Sequence, residues 1–186
     1  ARLHARPWIS AMNPRFSFLI DFALFQAAWF ACVLATRSPY PYFIPLAGSI
    51  LVIGRVMWSG RFREVLPLAF ACIAIGILGD ALLVKLGFVS FGPYPGLFGA
   101  PLWMIALWMN FGLMLRPLFV WFLDNCVRTL LGFSIGGALA YFSGEKLGVL
   151  GLEKGWQSIL AIGVEWAVAG IILRYLWLKL PKGRES

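Results

Sequence analysis

The apolar run Ser158-Ile-Leu-Ala-Ile-Gly-Val-Glu-Trp-Ala-Val-Ala-Gly-Ile-Ile-Leu173 decides the fold class of this chain, and Glu165 is the ionisable residue inside it. With its apolar flanks the run covers residues 156–178, which is long enough for a helix to cross a hydrocarbon core of about 30 Å. A carboxylate is costly in hydrocarbon and by default faces protein or water. The run therefore predicts a transmembrane helix and marks Glu165 as a candidate functional residue.

The composition of the whole chain also indicates a membrane protein. Hydrophobic residues make up 61% of the 186 residues and charged residues 13%, whereas a soluble domain is about half apolar and about a quarter charged. The nine Trp suit the two membrane interfaces. The net charge of +8 is scattered at segment ends and forms no basic patch, so we expect no nucleic-acid partner.

Six stretches are apolar and long enough to span a bilayer, which predicts an all-α, polytopic transmembrane bundle of about six helices: 17–36, 40–58, 65–86, 101–123, 127–149 and 156–178. The fifth stretch is short in apolar residues and rich in glycine, so a re-entrant or interfacial segment is the alternative there. We expect a single transmembrane domain over 17–178, a cytoplasmic segment over 1–16 whose residues 1–11 are an upstream extension, and a basic cytoplasmic tail over 179–186.

The distribution of Lys and Arg predicts the orientation. If the N-terminus is inside, twelve of the 16 basic residues lie on the inner side and four on the outer side, namely Arg37, Lys85, Lys146 and Lys154. Because short cytoplasmic segments carry the excess of Lys and Arg, this count places both termini in the cytoplasm. We therefore expect a multi-pass protein of the bacterial inner membrane.

The longest outer connection, residues 88–101, has three Pro, three Gly and no charge, which excludes a regular helix. Its aromatic residues predict an interfacial anchor, with a lid over a lipid-accessible cavity as the alternative. Small residues four positions apart predict close helix packing at Gly132 with Gly136 and at Gly163 with Ala167.

Two groups of polar residues share a depth when about 1.5 Å is counted per residue. Asp21 and Arg116 lie at an inner level and predict a structural ion pair, with a headgroup site as the alternative. Gln26, Asn110 and Glu165 lie near the midplane. For Glu165 the alternatives are a neutral carboxyl bonded to an amide and a catalytic or proton-relay group.

Asp80 falls in the outer third of the third span, and we expect it in an outer polar pocket near Trp103. Asp80 and Glu165 are the candidate catalytic residues. The candidate substrate-binding residues are Gln26, Asn110, Trp103, Trp108 and Tyr141.

The sequence offers little to hold a metal or a haem. His4 is the only histidine and lies outside every apolar segment, and the three Cys have no metal-ligand spacing. No phosphate-loop, nucleophile-elbow or zinc-protease motif is present. We therefore expect neither a metal nor another cofactor.

Four stretches in order along the chain carry a family resemblance: Phe25-Gln26-Ala-Ala-Trp29-Phe-Ala-Cys-Val33, Leu78-Gly79-Asp80-Ala-Leu-Leu83 with Leu86-Gly87-Phe88, Pro101-Leu-Trp103-Met-Ile-Ala-Leu-Trp108, and Gly136-Gly137-Ala-Leu-Ala-Tyr141-Phe-Ser-Gly144-Glu-Lys146-Leu-Gly148. Over most of residues 17–150 the chain resembles small bacterial inner-membrane proteins catalogued as a domain of unknown function, number twenty-eight seventy-eight. One departure is Asp21, where the family pattern leads us to expect Asn. The resemblance implies a polytopic inner-membrane protein and no established activity. Such proteins are often encoded beside fatty-acyl-modifying enzymes, which implies weak support for a lipid role.

Three functions fit these observations. The first is an accessory protein or enzyme that acts on membrane lipids, with an acyl chain held between spans one, three, four and six. The second is a non-catalytic subunit or scaffold of a larger membrane complex, whose partners would be other membrane proteins. The third is a small transporter, against which the absence of an internal repeat counts.

Overall fold

A computed structural model describes residues 13–180, which fold as an all-α bundle. This confirms the predicted fold class. The helices in order are α1 (Pro14–Ala35), α2 (Phe43–Trp58), α3 (Phe62–Lys85), α4 (Leu102–Leu118), α5 (Val120–Leu123), α6 (Cys126–Lys146) and α7 (Trp156–Lys179). Four two-residue strands lie in the connections: β1 (Val89–Ser90), β2 (Gly96–Leu97), β3 (Ala100–Pro101) and β4 (Gly151–Leu152).

The long apolar helices make this a membrane protein. Among the described residues, α1, α3, α6 and α7 are each long and apolar enough to cross a bilayer. The helices α2 and α4 are also apolar but have 16 and 17 residues, so each is about 24–26 Å long. The predicted fifth span is α6, one uninterrupted helix of 21 residues, so the re-entrant alternative is not supported.

The predicted fourth span, 101–123, is broken near its end. Pro117 lies in the last turn of α4, and the helix stops at Leu118 before the single turn α5. A proline lacks the N–H that would continue the ladder, and its ring crowds the carbonyl four residues earlier. The chain therefore kinks here, and the side chains of Phe119 and Phe122 contact each other at the kink.

The helices alternate in direction, and each end of the bundle has its own contacts. At one end, which we call the basic end, Arg55 contacts Asp21 and Arg116 contacts Glu64. The opposite end, which we call the loop end, consists of residues 36–42, 86–101 and 147–155. The last turn of α7 returns to the basic end, since Arg174 donates a hydrogen bond to the Asp124 carbonyl.

The predicted ion pair between Asp21 and Arg116 is wrong. The Arg55 Nε lies 2.7 Å from an Asp21 carboxylate oxygen, and Arg116 lies 2.9 Å from Glu64 in the first turn of α3. Side chains on a helix lean toward its N-terminus. Arg55, in the last turn of α2, therefore leans into the bundle and reaches Asp21, where Ser17 accepts a second hydrogen bond from its guanidinium.

The connection 88–101 contains no regular helix, as the sequence predicted. Its strand β1 pairs with β4 and so ties the α3–α4 connection to the α6–α7 connection. Val89 and Phe91 are buried against the bundle, and the Tyr94 hydroxyl donates a hydrogen bond to the Thr36 carbonyl after α1. The connection therefore caps the loop end and holds three helix pairs together.

Small residues allow close approach at several helix seams, and one of the expected residues, Gly163, is among them. A Cβ built on Gly112 would lie 2.6 Å from the Ala69 Cα, so α3 and α4 meet there at backbone contact distance. Gly163 faces Ser134 across the α6–α7 seam. Gly136 meets nothing within 4 Å, so its expected packing role is wrong.

Three predictions lie wholly or mainly outside the described residues. These are the segment 1–16 with its extension 1–11, the tail 179–186, and the position of His4.

The ion-pair assignment can be tested by a double-mutant cycle. We expect Asp21→Ala and Arg55→Ala to couple by about 1–3 kcal/mol in the free energy of unfolding, because either change leaves a largely buried charge without its partner. Asp21→Ala and Arg116→Ala are expected to add within about 0.5 kcal/mol, since those side chains serve different pairs. Reversible unfolding in mixed detergent–SDS micelles measures both cycles. Equal coupling in the two cycles would contradict the assignment.

Candidate functional site

A lateral cleft lies between α1 and α6. Its volume is about 720 Å³. One wall carries Phe25, Gln26 and Trp29 of α1, and the opposite wall is the face of α6 from Gly132 to Leu147. The lining is almost entirely apolar and aromatic. The cleft extends from Phe122 near the basic end to Lys146 at the loop end, so it follows most of the length of the bundle.

The floor of the cleft is a stacked pair of indoles. The rings of Trp108 on α4 and Trp166 on α7 have centroids 4.4 Å apart and an interplanar angle of 22°. Glycines make room for both rings, because a Cβ on Gly76 would overlap Trp108 and a Cβ on Gly137 would overlap Trp166. The two halves of the bundle, α1–α4 and α6–α7, are thus joined through an aromatic contact beneath the cleft.

Asp80 lies directly behind this floor. Its side chain is fully buried and accepts hydrogen bonds from the Trp108 Nε1, at 3.1 Å, and from the Tyr141 hydroxyl. Both donors line the cleft. The structure therefore brings together Asp80, Trp108 and Tyr141, three of the residues that the sequence singled out, although the sequence suggested Trp103 as the neighbour of Asp80.

Glu165 reaches the same place from α7. Its carboxylate lies against the backbone of Gly79 on α3, where a Cβ would overlap it, and it lies near Asp80 and Tyr141. Neither Glu165 oxygen has a hydrogen-bond partner among the described residues. A buried carboxyl group without a partner can accept a proton, and it lies behind the cleft rather than on its lining.

The sequence places Asp80 in the outer third and Glu165 near the midplane. This difference in depth counts only Cα positions and leaves out the direction of the side chains. Side chains lean toward the N-terminus of their own helix. Since α3 and α7 run in opposite directions, Asp80 leans toward the basic end and Glu165 toward the loop end. The two carboxyl groups therefore approach each other across the α3–α7 seam.

The predicted group of Gln26, Asn110 and Glu165 does not form. The Asn110 amide faces α1, where its nitrogen lies 3.9 Å from the Cys32 Sγ, and its oxygen has no partner among residues 13–180. Gln26 lies on the α1 wall of the cleft. Gln26 on α1, Asn110 on α4 and Glu165 on α7 therefore face different neighbours. A shared depth does not fix the direction in which a side chain points around its helix axis.

Trp103 lies in the first turn of α4 at the loop end of the cleft. Its ring packs edge-on against Phe91 with centroids 5.8 Å apart, and its buried Nε1 has no hydrogen-bond partner among the described residues. Sequence reasoning missed Trp166, Gly76, Gly79 and Gly137, which build the floor. The signal available was a glycine or tryptophan adjacent to, or one turn from, Asp80, Tyr141 and Glu165.

The chemistry of the site follows from this arrangement. Two carboxyl groups and a tyrosine hydroxyl lie under an apolar cleft, which suits proton transfer or hydrogen bonding to a lipid-soluble ligand. Within residues 13–180, no group of three or more His, Cys, Asp and Glu side chains could hold a metal ion.

The contact between Gly79 and Glu165 can be tested by compensation. We expect Gly79→Ala to destabilise the protein by about 1–3 kcal/mol, because the new Cβ overlaps the Glu165 carboxylate. The double variant Gly79→Ala with Glu165→Ala should lose at least about 1 kcal/mol less than the sum of the single variants. Unfolding in mixed micelles measures this, with Gly136→Ala as the control that meets open space. Strict additivity would show that the two residues are not in contact.

Comparison with known proteins identifies the family of this chain. No curated protein and no solved structure is detectably similar to this chain. Residues 18–171 match the model of the family described as a protein of unknown function, DUF2878, and this range includes the cleft walls and Asp80, Tyr141 and Glu165. The match covers most of the 186 residues, and the chain belongs to the DUF2878 family.

Proposed function

We propose that this protein binds the acyl chain of a membrane lipid in the cleft between α1 and α6, and that it serves lipid metabolism as an accessory protein or an enzyme. The observation that carries the proposal is the cleft itself. It is long, apolar and backed by buried polar groups. Its volume of about 720 Å³ falls within the range of about 300–1,000 Å³ that is usual for small-molecule sites.

The walls of the cleft support an acyl chain rather than a polar solute. Phe, Trp and Leu side chains dominate the lining, and few polar atoms face the space. A hydrocarbon chain bound there loses no hydrogen bonds, and it can enter sideways from the bilayer. A transporter of polar solutes would need polar groups along its path, so the lining counts against that function.

The polar groups behind the floor support the enzymatic form of the proposal. Tyr141 lines the cleft, and its hydroxyl donates a buried hydrogen bond to Asp80 behind the wall. Glu165 lies beside that pair with both oxygens unbonded. In this form Tyr141 contacts the lipid, while Asp80 and Glu165 accept or return the proton that a general acid–base step requires.

We further propose that the protein lies in the bacterial inner membrane with its basic end in the cytoplasm. Arg55, Arg116 and Arg174 lie at that end. The excess of Lys and Arg on one side supports this orientation. The loop end, with the mouth formed by Trp103 and Lys146, then faces the outside.

Filling the cleft should displace the lipid. Gly136 lines the cleft, and a Cβ there meets nothing within 4 Å, so Gly136→Leu adds a side chain that starts from an unobstructed Cβ and occupies part of the cleft. Gly54→Leu is the matched control, because Gly54 also meets nothing within 4 Å but lies on the exposed face of α2. We expect lipid that copurifies with the wild type and with Gly54→Leu to be largely lost from Gly136→Leu, as counted by native mass spectrometry.

Equal lipid retention by both leucine variants would contradict binding in the cleft. A stoichiometric membrane protein that copurifies with the wild type and is lost from Gly136→Leu would replace the proposal with the subunit hypothesis.

The enzymatic form has a separate test. We expect Asp80→Asn, Glu165→Gln and Tyr141→Phe each to change the lipid profile of cells that depend on this protein, because each keeps the side-chain shape and removes a proton-transfer group. Thin-layer chromatography and mass spectrometry of lipid extracts measure the profile. Unchanged profiles in all three variants, with lipid still bound in the cleft, would leave an accessory binding protein and exclude the enzyme.

A further inference from the structure

Two cations lie near the loop end of the cleft: Lys146 lines it, and Arg37, which follows α1, approaches Gly148 between the lining residues Leu147 and Val149. A Cβ built on Gly148 would lie 2.5 Å from one of the terminal nitrogens of the Arg37 guanidinium. Lys146 closes α6. The loop end of the cleft therefore carries positive charge, while the interior is apolar.

Among the described residues, Arg37 has no ion pair and the ion pair of Lys146 is long. The Lys146 ammonium lies 3.9 Å from Glu145, an adjacent residue that is about one-third exposed, and it lies over the Phe142 ring at 4.9 Å. A lone arginine and a loosely held lysine at a membrane interface are donors available to an anion.

A third donor lies just inside the mouth. Trp103 lines the cleft and is 4% exposed, and its buried Nε1 has no hydrogen-bond partner among residues 13–180. A buried N–H without an acceptor costs free energy unless a ligand supplies one. An indole can only donate, so the missing partner is an oxygen acceptor.

We propose that the loop-end mouth is an anionic phosphate site, in which Arg37 and Lys146 bind the phosphate of a lipid headgroup and Trp103 donates to one of its oxygens. This inference rests on the proposed function, because it places the acyl chain of the same lipid in the cleft below. It names the substrate class as a phospholipid with net negative charge. All three side chains are donors, which matches phosphate oxygens and excludes a cationic headgroup as the main determinant.

The test compares lipids that share their acyl chains and differ in the headgroup. Native mass spectrometry of the detergent-solubilised protein measures binding of phosphatidylglycerol and of the matching diacylglycerol, and soluble glycerol phosphate is added as the ligand without a chain. The variants are Arg37→Gln with Lys146→Gln, and Trp103→Phe. Lys85→Gln is the matched control, because Lys85 is an exposed cation at the end of α3 that does not line the cleft.

We expect phosphatidylglycerol to bind the wild type more tightly than diacylglycerol. The double variant should lose about tenfold or more of that affinity, since a hydrogen bond to a charged group contributes roughly that factor. Its affinity for diacylglycerol should stay unchanged, which also shows that the variant is folded. Trp103→Phe should weaken phosphatidylglycerol binding, and Lys85→Gln should bind as the wild type does.

Two outcomes would overturn the inference. If diacylglycerol binds as tightly as phosphatidylglycerol, or if the double variant behaves like Lys85→Gln, the phosphate site is wrong while chain binding stands. If neither lipid binds, the proposed function itself fails. Binding of glycerol phosphate alone, with the same dependence on Arg37 and Lys146, would support the phosphate site and show that a soluble phosphate suffices.

Discussion

The contact between α3 and α7 is the interaction on which the rest of this structure depends. Gly79 leaves the space that the Glu165 carboxylate occupies, and the adjacent Asp80 anchors Trp108 and Tyr141. Because hydrocarbon offers no water to a carboxyl group, both acids lie inside the protein at one seam, where only Asp80 has hydrogen-bond donors among the described residues. This seam fixes how the α6–α7 hairpin lies against the first four helices.

The cleft is a consequence of that attachment. The α6–α7 hairpin is joined to the bundle through α3 and through the stack of Trp108 on Trp166, and its other edge is left facing α1 across open space. The α6 wall carries several glycines, and because Gly136 has no side chain it leaves space in the cleft. An apolar space beside a polar seam is therefore built into the packing, and this is the basis of the proposal that a lipid binds there.

Features that depend on local chemistry are predictable from this sequence, whereas contacts between distant helices are less so. Apolar length predicted the helices, and prolines and glycines predicted the irregular connection over 88–101, because both depend on local chemistry. The contact partners of the buried polar residues were harder to predict. Asp21 was matched to Arg116 by depth and is paired with Arg55, and Glu165 was grouped with Asn110 and lies beside Asp80. Depth along a helix says nothing about direction around its axis, and the lean of side chains shifts levels further.

The sequence by itself determined that the chain is a helical membrane protein and that a few polar residues inside it need an explanation. It did so because the cost of burying charge and the length of a helix that crosses a bilayer are properties of residues and their spacing. Only the tertiary structure decided that Asp80, Tyr141 and Glu165 meet, that an open cleft lies over them, and that Arg37 and Lys146 lie near its loop end. Those arrangements arise where helices that are distant in sequence pack against each other. Which helices pack together depends on the packing of the whole bundle.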